Sequence, residues 1–205
     1  MKNILKILNN AVKLYDEHLN DNEFIFVFYN KERKIEYKKV KFMKNNFLHL
    51  TGVQTELSPK EFYKNLKKKR LKVDDIKLKE DGTTRLKLEI LEKMHHLIYT
   101  PTIIGDYDGF LKINLKVDSV VGNTKSQGIC MGLKEINQNN YVPKSLLKEN
   151  VKHIVYNASS VLLTLKKSCR EKEFKEVTYQ SKRIDNLEKY IKENIDFFKS
   201  FNYVK

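Results

Sequence analysis

The spacing of the apolar residues changes along the chain, and this change constrains the fold more than any other feature. Over residues 3–19 apolar side chains recur every three or four positions, which predicts an amphipathic helix. From residue 103 onward they alternate with polar residues, as in 111–117 and 129–133, which predicts half-buried strands. Helical patterns followed by a run of strands indicate an α+β fold with an antiparallel sheet.

Local signals predict the remaining elements. Residues 24–29 favour a buried strand, and residues 35–42 favour the second arm of a hairpin with a bulge at Lys38 and Lys39, where the alternation changes parity. A capping serine, Ser58, with Pro59 and Glu61 after it, predicts a helix that runs to about Lys69. We also predict a helix over 81–98, strands over 151–157 and 160–166, and a helix over 183–201. With no repeat and no linker, residues 1–205 are predicted to form one domain.

His49 and Thr51 are the first candidate site residues. In segment 47–53 they alternate with Leu48 and Leu50, so an extended backbone would place His49 and Thr51 on the face opposite the leucines. A histidine and a hydroxyl on one face suit acid–base chemistry and a phosphate contact. A solvent-facing strand with two incidental polar groups fits the same pattern.

Segment 141–147 is the second polar candidate. Tyr141, Lys144 and Ser145 offer a phenol, an ammonium and a hydroxyl close together in sequence. These groups suit the binding of a phosphate and a base. The other interpretation is a turn into a short helix, with Ser145 as its cap.

The charge of the chain favours a polyanionic partner. Its formal charge is +14, of which residues 31–72 contribute +10, and clustered cations bind RNA or DNA by releasing condensed counterions. The candidate nucleic-acid-binding residues are Lys64, Lys67, Lys68, Lys69, Arg70, Lys72 and Lys144. A lysine- and asparagine-rich composition, as A·T-rich genomes produce, is the alternative explanation.

Several classes of protein find no support in the sequence. It has no Gly-rich phosphate loop, no H-E-x-x-H and no C-x-x-C motif, so we expect neither a metal nor a cofactor. Asp106 and Asp108 form the one compact acid pair and fit hairpin positions beside glycines. The longest apolar runs have six or seven residues, which predicts no membrane association. With two cysteines and no secretory signal, a cytoplasmic location is expected.

Segments 47–53, 58–63 and 141–147 together resemble a family of phage and mobile-element proteins, the phage barnase–EndoU–colicin–RelE-like nucleases. The match is to a subgroup with a His-Leu-Thr-Gly motif, found here at 49–52 as His49, Leu50, Thr51 and Gly52. The resemblance covers about residues 22–150. It implies a barnase/RelE-like ribonuclease core, an antiparallel sheet with helices packed on one face. Residues 151–205 lie outside it and would add strands and a C-terminal helical extension.

This resemblance implies a metal-independent endoribonuclease, in which the RNA's own 2′-hydroxyl attacks the adjacent phosphorus. His49 would act as general base or acid, since its ordinary pKa lies near neutrality. Thr51 and Ser145 would donate hydrogen bonds to phosphate oxygens, while Lys87 or Lys144 would stabilise the extra negative charge. Tyr141 would stack on a base or contact phosphate.

RNA is therefore the expected partner, and a toxin-like effector of a phage or mobile element is the expected biological role. Two alternatives use the same fold without catalysis. One is a protein that only binds nucleic acid. The other is an inhibitor that binds a host or defence protein, and a cognate inhibitor of the nuclease itself is also compatible with the sequence.

Overall fold

The N-terminal helix follows the predicted apolar spacing. A computed structural model describes residues 2–109, 115–124 and 128–203, and in it α1 spans Lys2–His18. Leu8, Val12, Tyr15 and Leu19 are all buried, because residues three and four apart lie on one face of a helix. The helix predicted over 3–19 is confirmed.

The strands account for most of the regular structure after α1. Two of them, β1 and β2, form the predicted N-terminal hairpin with an unbroken register, so the bulge expected at Lys38 and Lys39 is absent from it. The strand bounds are β1 Asn22–Tyr29, β2 Ile35–Phe42, β3 Ile103–Tyr107, β4 Ser119–Gly122, β5 Cys130–Asn137, β6 Asn140–Leu147, β7 Val155–Ser168 and β8 Glu176–Gln180.

Seven of these strands close into a ring, and this corrects the predicted fold class. Around the ring, β1 pairs with β2, then β6, β5, β4, β3 and β7 follow, and β7 pairs again with β1. The β2–β6 pairing is parallel and the other six are antiparallel. The fold is a closed, mixed seven-stranded barrel to which β8 adds an extra strand. The prediction of an open antiparallel sheet with helices on one face is wrong.

The contacts that close the barrel explain why the alternation of apolar and polar residues alone predicted an open sheet. Strands β2 and β6 meet only through Lys39–Asn140 and Val40–Tyr141, positions far apart in sequence. The long strand β7 pairs with β3 through its first half and with β1 and β8 through its second. This single strand replaces the two strands predicted over 151–157 and 160–166. Asn157 takes a positive φ of 53°, but it does so at an irregularity within β7 and not in a turn between two strands.

Helices cover both faces of β1. Phe24, Phe26 and Phe28 belong to a core cluster shared with α1 and with the helices α2 Phe47–Thr51, α3 Pro59–Lys67 and α4 Thr83–Leu91. Ile25 and Val27 point to the opposite face, where they pack with α5 Leu187–Glu193 and α6 Ile195–Lys199. Burial on both faces explains the continuous apolar run of β1.

The remaining helix predictions are confirmed in part. Ser58 caps α3 by accepting a hydrogen bond from the Glu61 amide at 3.3 Å, as predicted. The helix predicted over 81–98 is α4 followed by a separate 3₁₀ turn, Met94–Ile98, and the one predicted over 183–201 is two short helices. In the strand predicted over 111–117, residues 111–114 lie outside the described residues, and 115–117 have no regular structure. The one-domain prediction stays a prediction.

Candidate functional site

The segment around His49 is helical, so the extended conformation predicted for 47–53 is wrong. Phe47, Leu50 and Thr51 are buried in α2, because the apolar pattern that looked like strand alternation also places positions i, i+3 and i+4 on one helical face. His49 lies on the exposed side of α2. His49 and Thr51 therefore do not share a face.

Thr51 serves the fold of this turn. Its side chain is fully buried; its hydroxyl donates to the Leu48 carbonyl at 2.8 Å and accepts from the Val53 amide at 3.1 Å. Gly52 then ends α2 with a φ of 70°, the left-handed conformation that favours glycine at this position. The Thr-Gly pair thus stops the helix and turns the chain toward α4.

Gly52 also lets α2 approach α4 closely. The Thr84 hydroxyl of α4 donates to the Gly52 carbonyl at 2.8 Å. A Cβ atom at position 52 would lie 2.7 Å from Cδ of Lys87, well inside van der Waals contact. The absence of a side chain at Gly52 therefore makes room for the Lys87 side chain.

Lys87 extends from α4 to strand β6. Its ammonium donates a hydrogen bond to Oγ of Ser145 at 2.9 Å, and Ser145 is 5% exposed. Burial, and then the positive charge of Lys79, lower the pKa of Lys87 to about 8, although Asp81 acts in the opposite direction. Lys87 can therefore exchange a proton near neutral pH, which an ordinary lysine cannot do.

A β-bulge presents Lys144 beside this pair. Ser145 is opposite Gly132 in the β5–β6 register and Pro143 is opposite Leu133, so Lys144 is the extra residue of β6. Pro143 and Ser145 are buried while Lys144 is exposed. Bulges redirect side chains in this way and often occur beside active sites.

His49, Lys87, Lys144 and Ser145 together form what we call the cationic site. Desolvation of the His49 ring, and then the positive charges of Lys144 and Lys87, lower the pKa of His49 below its usual value of 6.5. His49 is therefore neutral at pH 7 and able to accept a proton. The arrangement combines a base, two cations and a hydroxyl, and it favours an anionic ligand.

Tyr141 belongs to a different cluster. It is 5% exposed, and the Lys38 ammonium lies 5.1 Å from its ring centroid. Burial, and then the charge of Glu135, raise its pKa above the usual range. Lys38 pairs with Asp106 at 2.9 Å, beside a separate cavity of about 310 Å³. Asp106 is thus a strand residue in an ion pair, and it lies in the antiparallel pair that β3 forms with β4.

The basic segment 64–72 begins in the last turn of α3 and continues beyond the end of that helix. Lys64, Lys67, Lys68, Lys69, Arg70 and Lys72 are all exposed. Lys67 pairs with Asp16 of α1, which reduces the charge it offers to a ligand. Contacts of Phe47 with Phe62 and Tyr63 pack α3 against α2, but the described hydrogen bonds and ion pairs do not join this segment to the cationic site.

Sequence signals differ in how well they find these residues. Gly52 as the end of a helix is a recognisable signal, since glycine commonly follows the last helical turn. The approach of Lys87 to Ser145 and the bulge at Lys144 depend on tertiary contacts and leave no local pattern. Within residues 2–109, 115–124 and 128–203, no group of three or more His, Cys, Asp or Glu residues could hold a metal ion.

The comparisons with known proteins give one match. A family model described as phage-Barnase-EndoU-ColicinE5/D-RelE like nuclease4 matches residues 7–201. The match confirms the expected family and extends it beyond residues 22–150, while the His-Leu-Thr-Gly subgroup stays a prediction. No curated protein and no solved structure matches the chain. In the part of the chain that is described, none of the helices has the length and apolar character needed to cross a bilayer.

Proposed function

The chain belongs to the phage-Barnase-EndoU-ColicinE5/D-RelE like nuclease4 family, and from this premise we propose that it is a metal-independent endoribonuclease acting at the cationic site. The family implies a nuclease-like function and a nucleic-acid substrate. RNA is the finer proposal, because a site with a neutral histidine and two lysines suits a reaction in which the substrate supplies its own nucleophile. A cytoplasmic effector of a phage or mobile element remains part of the proposal.

The observation that carries this proposal is the hydrogen bond to the buried hydroxyl of Ser145 from Lys87, whose pKa is lowered to about 8. It joins α4 to β6 at 2.9 Å, and the charges of Lys87 and Lys144 act on His49. Titratable groups whose surroundings shift their pKa values strongly are typical of sites of acid–base catalysis. Here His49 is neutral and Lys87 mostly protonated at pH 7.

The proposed reaction has one chemical step. His49 takes the proton of the 2′-hydroxyl as its oxygen bonds to phosphorus. The bond from phosphorus to the 5′-oxygen breaks, and Lys87 gives that oxygen a proton. The products are a 2′,3′-cyclic phosphate and a free 5′-hydroxyl.

Ser145 and Lys144 hold the phosphate in this mechanism. Because Oγ of Ser145 accepts from Lys87, its own hydrogen is available to donate to a non-bridging phosphate oxygen. Lys144 adds positive charge where negative charge develops. Thr51 acts as a positioning residue, since its hydroxyl is occupied within α2, and the burial of Tyr141 leaves little of its ring for stacking on a base.

A non-catalytic nucleic-acid-binding protein is the second candidate. The burial of Thr51, Tyr141 and Ser145 favours it, because three side chains expected from the sequence to contact substrate are almost completely shielded from solvent. The exposed lysines of segment 64–72 would bind phosphates equally well without chemistry.

The test separates these two candidates. Labelled single-stranded RNA is incubated with the protein in excess chelator, and the fragments are analysed for 2′,3′-cyclic phosphate ends. His49→Ala is expected to lower the rate by about 10²–10⁴-fold, while His153→Ala, an exposed histidine elsewhere on the chain, leaves it unchanged. Equal cleavage of RNA with a 2′-deoxy residue at the cut site contradicts the mechanism. Binding without fragments favours the second candidate.

A further inference from the structure

A second cavity is formed in part by α4, the helix that carries Lys87 of the cationic site. It has a volume of about 560 Å³ and is bounded by α4, the Met94–Ile98 turn and the chain just beyond β4 and β6. Its size falls within the range of pockets that bind small organic molecules. We call it the α4–β6 cavity.

The α4–β6 cavity is lined in part by α4, the helix that carries Lys87, and by Lys148, just beyond the strand that carries Ser145. Two residues further along α4, Glu89 forms an ion pair with Lys148, which follows the end of β6, and both residues line the cavity. Lys148 lies three residues beyond Ser145, about 10 Å along an extended chain. The same helix and strand therefore carry both the proposed phosphate contacts and the cavity.

The lining suits the flat, polar-edged shape of a nucleobase. Ile90, Pro101 and Ile129 supply apolar surface for its faces. Thr100 and Thr124 supply polar atoms for its edges. The Thr100 hydroxyl donates to the His96 carbonyl at 2.8 Å, so its oxygen can still accept a hydrogen bond.

The charges around the cavity favour a nucleotide over a neutral ligand. Lys93, His96 and Lys148 line it together with one acid, Glu89, whose charge Lys148 balances. The rim beyond β4 is fixed by backbone contacts, since the Val151 amide donates to the Asn123 carbonyl at 3.1 Å. This contact restrains Asn123 at the rim, and such restraint before binding reduces the entropy lost on binding.

We propose that the α4–β6 cavity holds one unpaired base of the RNA substrate, adjacent to the phosphate bound at the cationic site. The inference rests on the proposed function for the position of that phosphate. It restricts the substrate to single strands, loops or bulges, because a base inside an A-form duplex cannot be inserted into a pocket.

The test uses a set of short 2′-O-methylated RNAs, which lack the attacking hydroxyl, each with a photoreactive 4-thiouridine at one position. After irradiation, cross-linked peptides are mapped. Cross-links from one position are expected in 89–101, at 123–124 or at Lys148. Thr124→Trp, which places a large ring at the exposed rim, is expected to weaken binding at least tenfold, whereas Gln138→Trp on the exposed β5–β6 turn leaves it unchanged.

Each outcome separates this inference from the proposed function, which is measured in parallel by cleavage of unmodified RNA. Cross-links in the cavity without cleavage support the base pocket and refute the nuclease. Cleavage with cross-links elsewhere and a silent Thr124→Trp variant refutes the pocket alone. A wild-type protein that neither cleaves nor cross-links refutes both.

Discussion

Replacing Gly52 by alanine tests how the cationic site is assembled. The added methyl group has two separate consequences. A non-glycine residue at a φ of 70° carries the strain of the left-handed region, about 1–2 kcal/mol. The Cβ atom would also lie 2.7 Å from Cδ of Lys87, so the Lys87 side chain must move and its hydrogen bond to Ser145 is lost.

Gly82→Ala is the matched control for this change. Gly82 has a φ of +75°, and a Cβ there would meet nothing within 4 Å. It therefore measures the backbone strain without the collision. Losing a hydrogen bond to a charged group adds about 1.5–3 kcal/mol, so Gly52→Ala is expected to destabilise the protein by about that much more than Gly82→Ala. At this chain length each kcal/mol corresponds to about 2–4 °C in Tm.

The two variants are compared by thermal unfolding and by the rate of RNA cleavage. Gly82→Ala is expected to lower Tm and leave the rate near the wild-type value. Gly52→Ala is expected to lower Tm further and the rate by about 10–100-fold, because displacement of Lys87 removes its contribution at the phosphate. If both variants lose equal stability and keep equal activity, the role assigned to Gly52 is refuted.

Three other predictions follow from the same structure. Cleavage should rise with pH through the pKa of His49, which lies below 6.5, since the base must be neutral. It should fall near pH 8 as Lys87 loses its proton. Lys87→Arg should lower the rate, because a guanidinium does not give up its proton to the 5′-oxygen, and should remove the falling limb from a pH–rate profile. Replacing Lys68 and Lys69 by glutamine should reduce the slope of log affinity against log salt by about 1.4, because each phosphate contact on a single strand contributes about 0.7; an unchanged slope would place the RNA elsewhere. Ser58→Ala should cost about 0.5–2 kcal/mol in denaturant unfolding through loss of the α3 cap, and no loss would contradict the capping contact.

Sequence patterns predicted the elements that depend on local signals. Apolar periodicity found α1, and the Ser58–Glu61 pair found the start of α3. The same approach failed where one pattern fits two periods. Phe47 and Leu50 satisfy a helix, while Leu48 and Leu50 satisfy a strand, and four residues are too few to decide between them. The Gly52 helix stop was the signal that could have decided it.

Closure of the sheet could not be predicted in this way, because it depends on pairings between distant segments. Lys39 and Val40 of β2 meet Asn140 and Tyr141 of β6, and alternation within either strand says nothing about its partner. Predicting that helices cover one face failed for a related reason. Strand β1 is buried on both faces. A continuous apolar run indicates that a strand is buried on both faces, but it does not show which elements cover each face.

The cationic site arises where the chain departs from regular structure. Gly52 ends α2 in a left-handed conformation, and a bulge in β6 exposes Lys144 between two buried residues. Without the first, Lys87 could not pass α2 to reach Ser145. Without the second, Ser145 would lie opposite Met131 of β5 instead of Gly132. Periodic patterns cannot report such positions, since each is an interruption of a period. The polar residues found by spacing alone, His49 and Ser145, are linked through Lys87, which donates a hydrogen bond to Ser145 and whose charge acts on His49.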